Sequence, residues 1–135
     1  MADVYLQSAC LLVVALLFGG MLLFSAGFAA FLFKYLPPQE ARLLIRRAFS
    51  LFYMFVIEAS GLAMVLFWGS DPFSAAAMAC VMLSAVAARQ SLMPAINRAS
   101  DLGLRKRFGW LHGFSVVLTL GHIALAAVVL VHMLP

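Results

Sequence analysis

The second apolar stretch of the chain reads LFYMFVIEASGLAMVLF, from Leu51 to Phe67. It is long enough to cross a bilayer, since spanning helices use about 17 to 25 mainly apolar residues. Its one charged residue is Glu58, near the middle of the stretch. A carboxylate at that depth costs roughly 2.5 kcal/mol or more, and intramembrane acids usually have a partner or a functional task. Glu58 is therefore the first candidate for a functional residue.

The composition of the whole chain indicates a membrane protein. Hydrophobic residues make up 66% of the sequence and charged residues 10%, whereas soluble domains average about half and a quarter. The 135 residues leave room for four spans and no separate soluble module. We therefore predict an all-α, antiparallel four-helix bundle in one domain, residues 1–135, with spans at about 4–35, 43–68, 73–96 and 105–133.

The distribution of basic residues predicts the orientation in the membrane. All nine Lys and Arg residues lie between Lys34 and Arg47 or between Arg89 and Arg107. The positive-inside rule places both segments in the cytoplasm, and hence both termini on the periplasmic side of a bacterial inner membrane. The net charge of +4 thus indicates topology and not nucleic-acid binding. The N-terminus lacks a basic region, so we do not expect a cleaved signal peptide.

Helix boundaries follow from prolines and from polar segments. Pro37-Pro38 should end the first span, because proline cannot continue the hydrogen-bond ladder of a helix. Asp71 or Ser70 is suited to cap the third span, and Pro94 is expected to kink it. Residues 97–104 are predicted to form the third loop.

Small and weakly polar residues mark the predicted contact faces, because helices in lipid associate by close packing and hydrogen bonds. Each span has such a stripe at helical spacing, and we expect all four stripes to face inward. They comprise Ser8, Ala15, Gly19, Ala26 and Ala30; Arg47, Ser50, Met54, Glu58, Gly61 and Val65; Ala77, Cys80, Ser84, Ala87 and Ser91; and His112, Ser115, Thr119, His122 and Ala126. The GxxxG motif from Gly109 to Gly113 predicts a close contact with the first span or with a second copy.

The inward stripes suggest a polar site built on Glu58, His112 and His122. Estimated depths place Glu58 between the two histidines. Ser115, Thr119 and Arg89 are further candidates for ligand or proton binding. Three interpretations stay open: structural pairing of Glu58, a proton- or ion-linked path that uses the histidines, and a small-molecule or cofactor site inside the bundle.

Cofactor binding has two further candidates in the sequence. A haem b held by two histidines on different helices is excluded within one chain, because all three histidines are in the fourth span. His/Met ligation stays open. Copper would suit Cys10, Cys80, Met64 and His132, which share a predicted depth and include soft ligands. Both cysteines are expected to be buried thiols. We find no phosphate loop or HExxH motif, so an enzymatic role is not favoured.

Several motifs resemble a known family. They are Leu17–Phe24, Phe31–Pro37, Ala48–Tyr53, Pro94–Asn97 and Arg107–Ser115. The chain resembles bacterial membrane proteins of a domain-of-unknown-function family related to eukaryotic transmembrane protein 205. The resemblance implies a four-helix integral membrane protein, with Asn97, His112, Gly113 and Ser115 among the family's motif positions.

Two functions are compatible with these features. The first is a non-enzymatic membrane protein whose polar site binds an ion, a cofactor or a small solute, with transport as one such role. The alternative is an accessory or assembly subunit that packs against a larger membrane complex, or a homo-oligomer, through its apolar faces.

Overall fold

The structure, a computed structural model, describes residues 2–135. Six α-helices follow one another, and two π-helical segments, Leu23–Phe28 and Ala88–Leu92, join two pairs of them without a break. The α-helices are α1 (Ala2–Leu22), α2 (Ala29–Tyr35), α3 (Pro38–Phe67), α4 (Pro72–Ala87), α5 (Met93–Asp101) and α6 (Arg105–His132). No strand occurs within residues 2–135, which confirms the all-α prediction.

Four continuous helical stretches are long and apolar enough to cross a membrane. They are span 1 (Asp3–Tyr35), span 2 (Pro38–Phe67), span 3 (Pro72–Asp101) and span 4 (Arg105–His132). The protein is therefore a multi-pass membrane protein, as the composition predicted. Span 2 begins five residues before the predicted start at about 43, because Pro38 occupies the first turn, where a missing N–H has no consequence.

Span 3 continues through the segment that the sequence analysis assigned to a loop. The prediction of a loop at residues 97–104 is wrong, since α5 extends to Asp101 and the turn contains only residues 102–104. Arg46 of span 2 holds this extension: its Nη2 donates to the carbonyl oxygen of Asn97 at 3.1 Å and to Asp101 Oδ1 at 2.6 Å. Gly103 then closes the turn at a φ of +65°, a conformation that favours glycine.

The π-helical segment Ala88–Leu92 explains how span 3 passes Pro94. A proline removes one backbone donor and clashes with the carbonyl four residues earlier. Here the helix widens before the proline, and the Met93 N–H bonds to the Ala88 carbonyl five residues back. The widening absorbs the proline without ending the span, and it places Arg89 in an irregular turn.

Each span packs against two neighbours. Helix α1 contacts α3 and α6, and α4 contacts the same two helices. Spans 1 and 2 are also joined by aromatic packing, in which Phe24 lies between Phe52 at 4.5 Å and Phe49 at 5.3 Å, centroid to centroid. The resulting core is largely apolar, and its buried side chains mark which side of each helix faces the interior.

The buried faces differ from the predicted stripes on three of the four spans. The span 4 stripe is buried at Ser115, Thr119, His122 and Ala126, in agreement with the prediction. In span 1 the predicted stripe is exposed, and the buried face consists of Cys10 and four larger aliphatic or thioether residues: Val14, Leu17, Met21 and Leu32. Span 3 buries the larger Met78 and Val81 together with small residues at Ala75, Ala77, Ala85 and Ala88. Large and small side chains on different helices therefore fill the core together.

Candidate functional site

The inner face of span 4 carries the main cluster of buried polar side chains. Ser115, Thr119 and His122 are spaced four and three residues apart, so they lie on one side of α6, and all three are buried. Tyr53 from span 2 and Ser84 from span 3 approach this face. We call these five residues the polar column.

His122 and Ser84 form the closest polar contact of the column. The Nε2 atom of His122 lies 2.7 Å from the Ser84 hydroxyl oxygen, and His122 is only 5% exposed. The same hydroxyl lies 2.7 Å from the Cys80 carbonyl oxygen, to which it donates. Because a serine hydroxyl has one proton, a hydroxyl that donates to Cys80 must accept the hydrogen bond from His122. The pair can hold a proton or a polar ligand, and among residues 2–135 no carboxylate forms a hydrogen bond or ion pair with His122.

Tyr53 and Ser115 form the second contact of the column. Their hydroxyl oxygens are 3.4 Å apart, and both residues are buried. Tyr53 was not among the site residues predicted from the sequence. Its signal was available, since Tyr53, Val56, Ser60, Ala63 and Phe67 recur at helical spacing and form the buried face of span 2.

Arg89 lies in the π-helical turn of span 3, which contacts both α3 and α6. Its side chain is half-buried. The Nε atom is buried and has no hydrogen-bond partner within residues 2–135. Arg89 thus stays a candidate for binding, as the sequence predicted, although no contact joins it to Glu58.

Glu58 does not belong to the polar column, and its predicted inward orientation is wrong. The side chain is exposed on the outside of span 2, and no hydrogen bond or ion pair of the described residues includes it. The physical reason is helical phase. Glu58 follows the fully buried Val56 by two residues, or roughly 200° around the helix.

His112 is also outside the bundle, contrary to the prediction. It is exposed and stacks on Phe108 of the same helix, with ring centroids 5.6 Å apart and planes 4° apart. The structure therefore does not bring Glu58, His112 and His122 together. Of the predicted trio, His122 alone reaches the interior.

The copper candidates do not form a cluster either. Cys10 is buried and Cys80 is exposed, and both are free thiols, so the prediction of two buried thiols is wrong for Cys80. His132 lies 3.6 Å from Asp71, at the opposite end of the molecule from Arg105. Across the described chain, no three His, Cys, Asp or Glu residues are close enough to hold a metal ion.

Asp71 caps the start of span 3, as predicted. Its Oδ1 atom accepts a hydrogen bond from the Ser74 N–H at 3.2 Å, and its other oxygen accepts the Ser74 hydroxyl. Partial burial tends to raise the pKa of Asp71, but the hydrogen bonds from Ser74 and the nearby His132 bring the pKa below its ordinary value.

A family model described as "Domain of unknown function (DUF4149)" matches residues 12–105. The match covers more than half of the chain, which therefore belongs to this family. It includes Glu58, Ser84 and Arg89, and it ends before Ser115. No curated protein and no solved structure matches the chain.

Proposed function

We propose that this DUF4149 protein is a non-catalytic subunit that packs against a partner in the membrane through the outer face of span 2. The observation that carries the proposal is the exposure of Glu58 in the middle of an apolar face. Glu58 lies 11 residues from Arg47, or roughly 16 Å along the helix. A carboxyl group exposed to hydrocarbon at this depth is costly, and a partner that covers it would offset that cost.

The neighbours of Glu58 form a continuous surface suited to helix packing. Leu51, Leu62 and Val65 are exposed and lie within about 40° of Glu58 around the helix. Arg47 is exposed on the same side. We call this surface the Glu58 face. It presents apolar contact area around one strong hydrogen-bond acceptor, so it favours a helix that carries a donor or a cation at the same depth.

The charges of the Glu58 face favour a different protein over a second copy. If two copies met symmetrically with their second spans parallel, Glu58 would meet Glu58 and Arg47 would meet Arg47. Juxtaposed like charges oppose association. A larger membrane complex that places a Lys, Arg or His donor opposite Glu58, and no basic residue opposite Arg47, avoids both repulsions, and it is the partner we propose. A homo-oligomer is the alternative.

The orientation that accompanies this proposal places both basic loops in the cytoplasm and both termini in the periplasm of a bacterial inner membrane. Two contacts support an antiparallel order: Arg46 meets Asp101 at one end of the molecule, and Asp71 meets His132 at the other. A relation to eukaryotic transmembrane protein 205 belongs to the same proposal, on the strength of the motifs described above.

Site-specific photocrosslinking in intact host membranes tests the proposal. A photoreactive amino acid replaces Leu62 on the Glu58 face or, as a matched control, Leu120, which is similarly exposed on span 4. We expect a discrete crosslinked species from position 62 only. The substitution Glu58→Leu should remove this species, whereas Glu58→Gln should weaken it. The result against the proposal is a crosslink that persists in Glu58→Leu, or equal crosslinking from both positions.

A second candidate function rests on the contact between His122 and Ser84. A buried imidazole that hydrogen-bonds to a hydroxyl can take part in binding a proton, an ion or a small solute, and His/Met ligation would extend this to haem or copper. The chain purified from its host in mild detergent should then carry a stoichiometric metal or visible chromophore that His122→Phe loses. A colourless, metal-free protein would contradict the binding of haem or copper at His122.

A further inference from the structure

The outer surface of span 4 carries an open groove near its first turn. The groove has a volume of about 670 Å³ and is lined by Arg105, Lys106, Gly109, Trp110, Gly113, Phe114 and Val117. A Cβ atom added at Gly109 or Gly113 would meet no atom within 4 Å. The predicted contact of this GxxxG motif with span 1 is therefore wrong, and the motif faces away from the bundle.

The groove changes from basic to apolar along its length. Arg105 and Lys106 lie at the rim, and the apolar part extends from Gly109 to Val117, roughly 12 Å of helix. Trp110 is 79% exposed and stands beside the two glycines. A tryptophan at this position is typical of the membrane interface, where the hydrocarbon begins.

The first turn of α6 concentrates positive charge without compensation. Arg105, Lys106 and Arg107 occupy the helix N-terminus, the turn contains no acidic residue, and Leu104 provides no side-chain cap. Backbone N–H groups at a helix N-terminus add a further partial positive charge. None of the three side chains forms an ion pair within residues 2–135. The turn is therefore suited to bind an anion.

We propose that this groove binds one anionic phospholipid. Arg105 and Lys106 hold the phosphate group, and an acyl chain lies over Gly109 and Gly113 against Trp110. The basic rim would contact the lipid headgroup, and the apolar floor would contact an acyl chain. Along span 4 these two parts follow each other in the same order as headgroup and acyl chain do in a leaflet. A free anion would leave the apolar part unexplained. A parallel second copy would bring Arg105 and Lys106 against their own equivalents, which like-charge repulsion opposes.

Trp110 provides a direct probe of the groove. The chain has two tryptophans, so Trp68→Phe leaves Trp110 alone. We would reconstitute this variant in phosphatidylcholine vesicles that contain a small fraction of brominated phosphatidylglycerol or of brominated phosphatidylcholine. We expect brominated phosphatidylglycerol to quench Trp110 roughly fivefold more effectively per lipid, given the attraction of each basic residue to anionic headgroups. The control variant Trp110→Phe keeps only Trp68, which follows the last residue of span 2 and lies far from the groove. It should show no such preference.

Three variants distinguish a specific site from general attraction. The pair Arg105→Gln and Lys106→Gln should abolish the preference, and so should Gly113→Leu, which fills the groove but leaves the charge unchanged. The pair Arg42→Gln and Arg47→Gln removes two exposed charges that do not line the groove and should leave the preference intact.

The proposal fails if Trp110 shows no preference, if the Arg42/Arg47 pair removes it as fully as the Arg105/Lys106 pair, or if Gly113→Leu retains it. It also fails if chemical crosslinking detects a dimer that Gly113→Leu dissociates, because a second copy would then occupy the groove. Since this groove and the Glu58 face lie on different spans, failure here would leave the proposed function untouched.

Discussion

Spans 2 and 4 each carry polar residues at helical spacing, but the structure turns them in opposite directions. Span 4 buries Ser115, Thr119 and His122. Span 2 exposes Glu58 and buries Tyr53 and Ser60 instead. The interior of these two spans thus contains hydroxyl and imidazole groups, whereas Glu58, the carboxylate in the middle of span 2, lies outside.

The difference reflects how many hydrogen bonds each group requires. Ser60 donates to the Val56 carbonyl of its own helix, and His122 needs only the Ser84 hydroxyl. A buried carboxylate requires several donors or a cation, and its burial without them is strongly unfavourable. His122 and Ser115 of span 4 therefore have polar partners within the chain, whereas Glu58 of span 2 has none within residues 2–135, which is the basis of the partner proposed above.

The largest expected effect is on the buried histidine. His122→Ala should lower the free energy of unfolding by about 2 kcal/mol, because it leaves a cavity and removes the hydrogen bond to Ser84. Reversible unfolding in mixed detergent micelles would measure it. His112→Ala is the matched control on the same helix and should change little. Equal losses for both histidines would contradict the assigned orientation of span 4.

A smaller effect is expected at adjacent glycines of span 1, which packs against span 2. A Cβ atom at Gly20 would lie 2.6 Å from Phe55 Cζ, whereas one at Gly19 would meet nothing within 4 Å. Gly20→Ala should lower the free energy of unfolding by about 1 kcal/mol, since Phe55 must shift in a packed core. Gly19→Ala should not. If Gly19→Ala proved the more damaging, spans 1 and 2 would pack through the face predicted from the sequence.

The cap at the start of span 3 should respond to pH. Asp71→Ala is expected to cost about 1 kcal/mol at neutral pH, as is usual for the loss of an N-cap. The folded state lowers the pKa of Asp71. Its stabilising contribution is therefore present above the unfolded pKa, near about 3.9, and is lost as the pH falls through the lower folded value. The stability difference between wild type and Asp71→Ala should shrink below that pH, and a constant difference would speak against the ionised cap.

The smallest effect on the isolated chain is expected at Glu58. Glu58→Leu should change the free energy of unfolding in detergent by less than about 0.5 kcal/mol, as for other exposed positions. Ala59→Leu, at the buried neighbouring position, should be clearly destabilising because the core there is filled. A large loss of stability in Glu58→Leu would show that the acid has a partner within the chain.

Much of the fold was predictable because length and hydropathy decide which segments enter a membrane. The number of spans, the end of span 1 before Pro37 and the cap at Asp71 were predicted correctly. The extension of span 3 to Asp101 was missed, since local composition favoured a loop there. In the structure the extension contacts Arg46, 55 positions from Asp101, and local composition does not show such a contact.

The candidate site was predictable on span 4 from Ser115 onward and not on span 2. In span 4, Ser115, Thr119 and His122 share one arc and are buried, whereas His112, predicted on the same arc, is exposed. Span 2 contains two polar sets on opposite sides, one with Glu58 and Arg47 and the other with Tyr53 and Ser60. Sequence spacing cannot decide which set faces the core. In a membrane both the lipid and the protein core are apolar, so hydrophobicity does not distinguish the outer side of a helix from the inner side.

The amino-acid sequence alone determined that this protein crosses a membrane with four helices, and it determined approximately where each helix begins and ends. The reason is that backbone hydrogen bonds must be satisfied in lipid, so each long apolar segment becomes a helix. The tertiary structure alone decided which side of each helix faces its neighbours. That choice depends on how the side chains of neighbouring spans fit together in the core, and it left Glu58 outside and His122 inside.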